Sequence, residues 1–408
     1  MTLKITVILL LILGCAFKTV LNIVKYRSAN NPISESVSDV YDSETYLKWK
    51  KYSAENCKLS IVFTLISRAV TLALLCTNAY SSFAALFPSG FFMQLLAVVI
   101  LECAVDTVVS ILESYFSVMV IEQKYGFNRT SVKTFIIDGI RSTLLGFGLT
   151  LGLVCLLAGL HIAMGAYLII LFAAALFVIS LFISFLYPVF SRIGNKFTPL
   201  EDGELKERLM ALLTKHGYKV KSISVMDASR RTTKLNAYFT GFGKMKTIVL
   251  YDNLVNAMDT DEICAVFSHE LGHGMHKDVL KMQVMNIFNL LIMAVIAWGS
   301  LCVAGLHTAF GFDGINYGFA YILISIALEI ISPVTGMFMN AYSRHAEYRA
   351  DKQAHLEGYG TALITALKKL ARENFAHLAP SKINVVMEYS HPPLASRIEA
   401  IQNEEKNK

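Results

Sequence analysis

Seven runs of this sequence are long and apolar enough to cross a bilayer as helices, near residues 3–24, 60–87, 91–121, 134–160, 162–190, 279–306 and 315–341. A bilayer core takes about 20 such residues. No Asp, Glu, Lys or Arg occurs from Ile162 to Phe190 or from Met282 to Phe312. Composition agrees: 54% of the 408 residues are hydrophobic and 17% are charged, a balance outside the range of soluble globular chains. The expectation is an α-helical integral membrane protein of seven transmembrane helices carrying one polar domain. The stretch "MTLKITVILLLILGCAF" has features of a signal peptide, and "ILGC" faintly of a lipoprotein cleavage box. The apolar run continues to Val24 with no small-residue cleavage site, so it is expected to be an uncleaved first span.

Orientation follows from the loops. Lys25, Arg27, Lys48, Lys50, Lys51 and Lys58 follow the first run, and Lys124, Arg129 and Lys133 follow the third. The turns near 87–90, near His161 and at 307–314 carry no Lys or Arg. This alternation places the N-terminus outside or in a lumen, and residues 191–278 with the C-terminus in the cytosol. Residues 1–190 are then spans one to five, 279–341 spans six and seven, and 191–278 with 342–408 a single cytosolic domain in two pieces. "LKERLMALLTKHG" predicts a helix; "YKVKSISVMD", "LNAYFTGFG" and "KTIVLYD" predict strands; a further helix starts near Thr260. The net charge of +6 comes with no basic, aromatic-laced patch, so no nucleic-acid partner is expected. The seven Cys form no CxxC pair and read as small buried hydrophobes. "NRT" at 128–130 fits a glycosylation acceptor, but this topology puts it on the cytosolic side. Arg68, Glu102, Asp106, Glu113, Asp138, Arg141 and Glu329 fall inside the runs. Each is expensive against lipid and is expected to face a partner charge or a hydrated cavity.

The chemistry-bearing stretch is "VFSHELGHGMHKD", Val266 to Asp278. His269 and His273 are four apart, which on a helix puts both imidazoles on one face. That spacing suits two ligands of one Zn²⁺, with Glu270 beside the metal to hold a water: the HExxH pattern. Asp259 or Thr260, with Glu262 following, offers a helix start. The plain alternative is two surface histidines and a solvated glutamate. A catalytic zinc needs a third protein ligand and an open position. The HExxHxxGxxH class is excluded, because His276 and Val279 stand where it needs Gly and His. His276 itself is expected at the surface or behind the ligands. The better candidate is Glu347 in "SRHAEYRADKQA", with Asp351 one turn on, placed to orient a ligand His or stabilise a protonated group. Glu357 and Glu329 are rivals, the first nearly three turns on and the second mid-span.

These motifs resemble the zinc-dependent integral-membrane CAAX prenyl endopeptidases. The resemblance extends through "EQKYGFNRTS" (122–131), "NKFTPLEDGELKERL" (195–209), "LNAYFTGFGKMKTIVLYDNL" (235–254) and "YSHPPLASRIEAI" (389–401), in order to the C-terminus. One departure is length, since eukaryotic members tend to be longer and this chain looks trimmed in its loops. The resemblance implies a mixed α+β zinc-metalloprotease domain holding one Zn²⁺ per chain through His269, His273 and Glu347. It implies Glu270 as general base, Asp351 supporting the site or donating a proton, and Asn236, His391 and Arg397 facing the substrate. Physical sense is consistent with this. "NAYFTGFG" reads as a strand whose edge suits an extended peptide, Asn236 offers amide donors and acceptors, and His391 can donate to an oxyanion. Ordinary roles for the three are a turn, a loop end and a solvated helix.

The implied substrates are proteins or peptides with a farnesylated or geranylgeranylated C-terminal Cys, cut after that Cys to release three residues. The bilayer is the other partner, in the endoplasmic reticulum membrane of a eukaryote or the inner membrane of a bacterium, with the active site facing the cytosol. Two alternatives stand beside this: a quality-control zinc protease without prenyl specificity, and a non-enzymatic transporter or scaffold with a structural zinc.

Overall fold

The structure, a computed structural model, describes residues 2–190, 195–240 and 245–406. It is mostly helical. Among the described residues, six helices are long and apolar enough to cross a membrane. They are α1 (Thr2–Ser28), α2 (Ser43–Cys76), a helix over Phe91–Tyr125 whose first part is α3 (Phe91–Ser114), α4 (Val132–Met164), and two later helices given below. The expected fifth span corresponds to α5 (Leu168–Phe190), in which the described apolar stretch Leu168–Ser184 is shorter. The third span does not stay α-helical. Tyr115–Glu122 widens into a π-helix, an arrangement rare beyond a single turn.

The polar segment opens with β1 (Phe197–Pro199) and α6 (Glu204–Lys215), then β2 (Lys219–Met226), β3 (Ala237–Thr240) and β4 (Met245–Tyr251). The strands form one sheet in the order β1-β2-β4-β3. β2 runs parallel to β4, while β1 and β3 are antiparallel edge strands. Part of the strand expected in "LNAYFTGFG" falls on residues 241–243, outside the described residues. Ile223, Ile248 and Leu250 cover α7 (Thr260–Met275), whose Ile263, Phe267 and Leu271 complete the core with Leu209 and Leu213 of α6. β1 is an addition to the expected strands, too short for alternation to show.

α7 does not run straight into the next span, α8 (Asp278–Cys302). Lys277 sits in the left-handed region (φ 54°) and breaks the rod there. α9 (Tyr317–Leu356) does the reverse, continuing for 40 residues from an apolar half into the polar domain. Helices α10 (Gly360–Glu373) and α11 (Leu394–Lys406) close the chain. A third piece of chain joins these polar segments. Residues 29–41 and the first turns of α2 lie against them, with Trp49 donating from Nε1 to the Phe375 carbonyl (3.1 Å) and the Tyr41 hydroxyl donating to the Ala371 carbonyl (2.9 Å).

Most of the charges in the spans have partners or space. Arg68 pairs with Glu329 beside a cavity of about 480 Å³. Glu102 accepts from the Tyr80 hydroxyl, and Asp138 pairs with Arg231 from the polar segment (3.2 Å). Glu113 lines a cavity of about 650 Å³ that Lys25, His377 and Tyr389 also line. Asn128 of the "NRT" triplet is buried, with its amide bonded to Gln123.

Candidate active site

The site starts from a well-anchored helix. Asp259 caps α7 by accepting from the Glu262 amide (2.9 Å), while the Glu262 side chain accepts from the Asp259 amide (3.0 Å). This reciprocal box fixes where the helix begins, and so the face on which His269 and His273 stand. The two rings sit 4.9 Å apart, centroid to centroid. α9 crosses that face closely, because both helices offer small residues at the contact. Ala346, Ala350 and Ala354 of α9 are buried, as are Ala265, Ser268 and Gly272 of α7. The crossing delivers Glu347 to the histidines, and ligand atoms of His269, His273 and Glu347 lie within 4.8 Å of one another.

Tautomers follow from the partners. His269 Nδ1 is 2.8 Å from Asp351 Oδ1, and His273 Nδ1 is 3.1 Å from Asp278 Oδ2. A carboxylate only accepts, so each ring donates from Nδ1 and keeps its lone pair on Nε2. Those Nε2 atoms face Glu347, at 3.5 Å from Oε2 and 3.2 Å from Oε1. Glu347 Oε2 is buried without a well-aligned hydrogen bond, and its ion-pair partner is Arg397 Nη1 at 3.3 Å. Two lone pairs against a carboxylate repel unless a cation or a proton lies among them. Local charge points the same way: the carboxylates of Glu270, Glu347, Asp351 and Asp278 outnumber the guanidiniums of Arg349 and Arg397 by two. Burial works against a charged His273 ring, but Glu347 and then Asp278 outweigh it and raise its pKa to about 9. The donor set and the surplus charge fit a divalent metal ion.

The other expected residues fall around this cluster. Glu270 is half-buried and lines a small cavity with Ala237 and Tyr238 of the edge strand β3. Asn236, just before β3, is exposed, and its side-chain oxygen accepts from the Ala237 amide. His391 is mostly exposed, with Nε2 3.4 Å from Glu347 Oε1. Desolvation pushes its pKa down, against Glu347. Arg397, expected to face the substrate, is largely buried beside the ligands: it donates from Nε (2.8 Å) and Nη2 (2.6 Å) to the two oxygens of Asp351, and its Nη1 lies 3.3 Å from Glu347 Oε2. Burial opposes its charge, yet Asp351 and Glu347 hold its pKa above the ordinary value. Asp351 is thus occupied by His269 and Arg397, which suits support more than proton donation. His276 ends α7 outside the cluster. The rivals lie elsewhere, Glu357 bonded to Lys215 and His216 and Glu329 to Arg68.

Sequence reasoning missed Arg344, which donates to the Val385 (2.8 Å) and Tyr389 (2.7 Å) carbonyls and so pins the loop that carries His391. It also missed Asp278, Tyr342 and Arg349. The available signal was spacing, since Asn340, Arg344, Glu347 and Asp351 recur at three or four residues on one helix.

Residues 199–405 match peptidase family M48, and residues 22–192 match the CAAX prenyl protease N-terminal family, described as five membrane helices. The chain is 34% identical over 299 residues to a CAAX prenyl protease 1 homolog of Arabidopsis thaliana, covering 72% of this chain and 70% of that protein. It is 30% identical over 417 residues to CAAX prenyl protease 1 of Saccharomyces cerevisiae, covering 95% and 92%. The fold superposes on the crystal structure of S. mikatae Ste24p with a TM-score of 0.90 at 28% identity, covering 98% of this chain and 99% of that one. Likeness that runs through both the membrane helices and the segment holding the histidine pair makes this chain a member of peptidase family M48, a multi-pass membrane metalloprotease.

Proposed function

We propose that the protein is a zinc metalloendopeptidase that removes the C-terminal three residues from prenylated CAAX proteins. In this reading it has seven crossings and works at the cytosolic face of the endoplasmic reticulum membrane, or of an inner membrane in a bacterium. One observation carries the reading: two imidazoles with tautomers fixed by Asp351 and Asp278 turn their lone pairs toward the buried Glu347 carboxylate, His269 at 3.5 Å from Oε2 and His273 at 3.2 Å from Oε1.

His269, His273 and Glu347 would hold one zinc ion per chain, which supplies a Lewis acid and an acidified water. Glu270 takes the proton of the attacking water and passes it to the leaving amine. Its side chain meets no ion-pair or hydrogen-bond partner among the described residues, as a base that must move a proton requires. His391, exposed at the rim, donates to the developing oxyanion. The outer edge of β3 beside Glu270 accepts the substrate as an added strand, with Asn236 at its start bonding the peptide backbone. Asp351 and Arg397 act behind His269, as positioning residues.

The test is a pair of peptides of one sequence, farnesylated and unmodified, given to the purified full-length protein with and without a chelator. Chelator-sensitive release of the last three residues from the farnesylated peptide alone is expected. Equal cleavage of both peptides would favour quality control, and cleavage indifferent to the chelator would defeat the metal assignment.

A further inference from the structure

We infer that Asp278 is a positioning residue for the metal centre: it locks the His273 ring with Nε2 toward Glu347, and is itself locked by Tyr342 and Arg349 from the neighbouring helix. The inference rests on the metal reading above.

Asp278 is the first residue of a membrane-spanning helix, yet it is 3% exposed and both of its oxygens are occupied. Oδ2 faces His273 Nδ1 at 3.1 Å. Oδ1 accepts from the Tyr342 hydroxyl (2.9 Å) and from Arg349 Nη2 (2.6 Å). A buried carboxylate meeting three donors cannot turn without leaving one of them unpaired, a costly outcome at this depth. The backbone is bent to put it there. On a continuous helix, residues five apart project in different directions. The left-handed turn at Lys277 ends α7 and starts α8, which brings Asp278 back beneath His273. A lysine rarely adopts that conformation, so the turn marks a position held by its surroundings. The start of α8 adds aligned amide dipoles that favour a carboxylate. The arrangement parallels the one behind His269, where Arg397 holds Asp351 and Asp351 holds the ring. Here the clamp draws on both flanking membrane helices, so the packing of α8 on α9 sets the ring orientation.

The test is zinc affinity of the full chain in detergent, stripped with a chelator and titrated with zinc against a competing fluorescent chelator. Asp278→Ala should bind zinc roughly 10–100-fold more weakly. Asp278→Asn, which keeps one oxygen for Nδ1–H, should lose less. Tyr342→Phe, which leaves the His273 contact intact but removes one donor from Asp278, should also weaken zinc. A merely structural Asp278 would lower the thermal unfolding temperature of the metal-free protein and leave zinc affinity per folded molecule unchanged. Parent-like affinity in Asp278→Ala and Tyr342→Phe overturns the inference. If Asp278→Ala does not fold, parent-like affinity in Asp278→Asn and Tyr342→Phe does the same. A parent protein that binds no zinc defeats the metal reading itself, and this inference with it.

Discussion

Adding one methyl group at Gly272 should disable the metal site while leaving the protein folded. A Cβ built there would stand 2.9 Å from the Ala350 Cα and 3.1 Å from the Gln353 Cβ. Carbon atoms pack at about 3.5–4.0 Å, so the two helices must part by roughly 0.6–1 Å at the crossing. His273 is the next residue on one helix, and Glu347 is three residues from the contact on the other. Nearly the whole displacement therefore reaches the ligands, and a metal site tolerates only about 0.2 Å of error in each distance. Stability should change much less. Gly→Ala within a helix gains about 1 kcal/mol of propensity, offsetting part of an overpacking cost of about 1–3 kcal/mol. Zinc affinity of Gly272→Ala, measured by competition with a fluorescent chelator, should fall more than tenfold, with thermal unfolding of the metal-free protein within a few degrees of the parent. Adding Ala350→Gly should not restore it, because the obstructing atom is backbone. Parent-like zinc affinity in Gly272→Ala would refute the idea that close helix crossing sets the ligand geometry.

Glu270→Gln should abolish peptide cleavage with zinc stoichiometry unchanged by metal analysis; residual turnover near the parent rate rules Glu270 out as the base. Arg397→Met should destabilise the fold by about 3–5 kcal/mol, the range for breaking a buried pair, because it leaves the Asp351 carboxylate buried without its guanidinium. Unfolding temperatures equal to the parent's would contradict that. His377 is held neutral, with Nδ1 accepting from the Ala379 amide and Nε2 against Ser28 Oγ, and burial lowers its pKa from an ordinary 6.5 to about 4. The unfolded chain takes the proton first, so stability is intact above about pH 6.5 and falls progressively as pH drops toward 4. His377→Gln should flatten denaturation profiles in that window, and an unchanged acid slope counts against the assignment. Inserting one alanine after Asn340 should rotate the far part of α9 by about 100° and abolish zinc binding. The same insertion after Asp313, in an exposed loop, should be tolerated, and zinc binding by both chains would mean that the phase of α9 does not set the ligand geometry.

The metal-shaped part of the site was legible because it is local. His269, Glu270 and His273 share one helix, and the capping box at Asp259 and Glu262 marks its start in the sequence as plainly as in the structure. Glu347 and Asp351 were legible by the same rule of four. The spans were legible as apolar runs, but their ends were not. α2 starts at Ser43, well before the apolar residues, because Tyr46 and Trp49 bury themselves against the C-terminal segment. The π-helical turn from Tyr115 to Glu122 carries no pattern that a period of 3.6 would reveal. Arg397 was drawn to the site by the family resemblance alone, because on its own helix it reads as a solvated cation. Only the fold sets it beside Asp351, 46 residues away in sequence. Asp278 escaped for a related reason: a charge at the mouth of a span looks like a boundary marker until the Lys277 turn is seen.

What those nonlocal contacts share is α9. Along one uninterrupted helix, Asn340 donates to the Met387 carbonyl, Tyr342 to Asp278 and Arg344 to the Val385 and Tyr389 carbonyls. Glu347 reaches both histidines, Arg349 returns to Asp278, and Asp351 takes Arg397. The same rod, further back, packs Phe319, Ile322 and Ile326 against the first membrane helices. A continuous α-helix turns by a fixed angle per residue, so the face that α9 shows to its membrane partners dictates the face it shows to the metal. The break at Lys277 and the continuity of α9 are then complementary. One helix of the pair has to break to aim Asp278, and the other has to run on without a break, through Pro333, to hold the carboxylate, the loop carrying His391 and the membrane-packed half in one register.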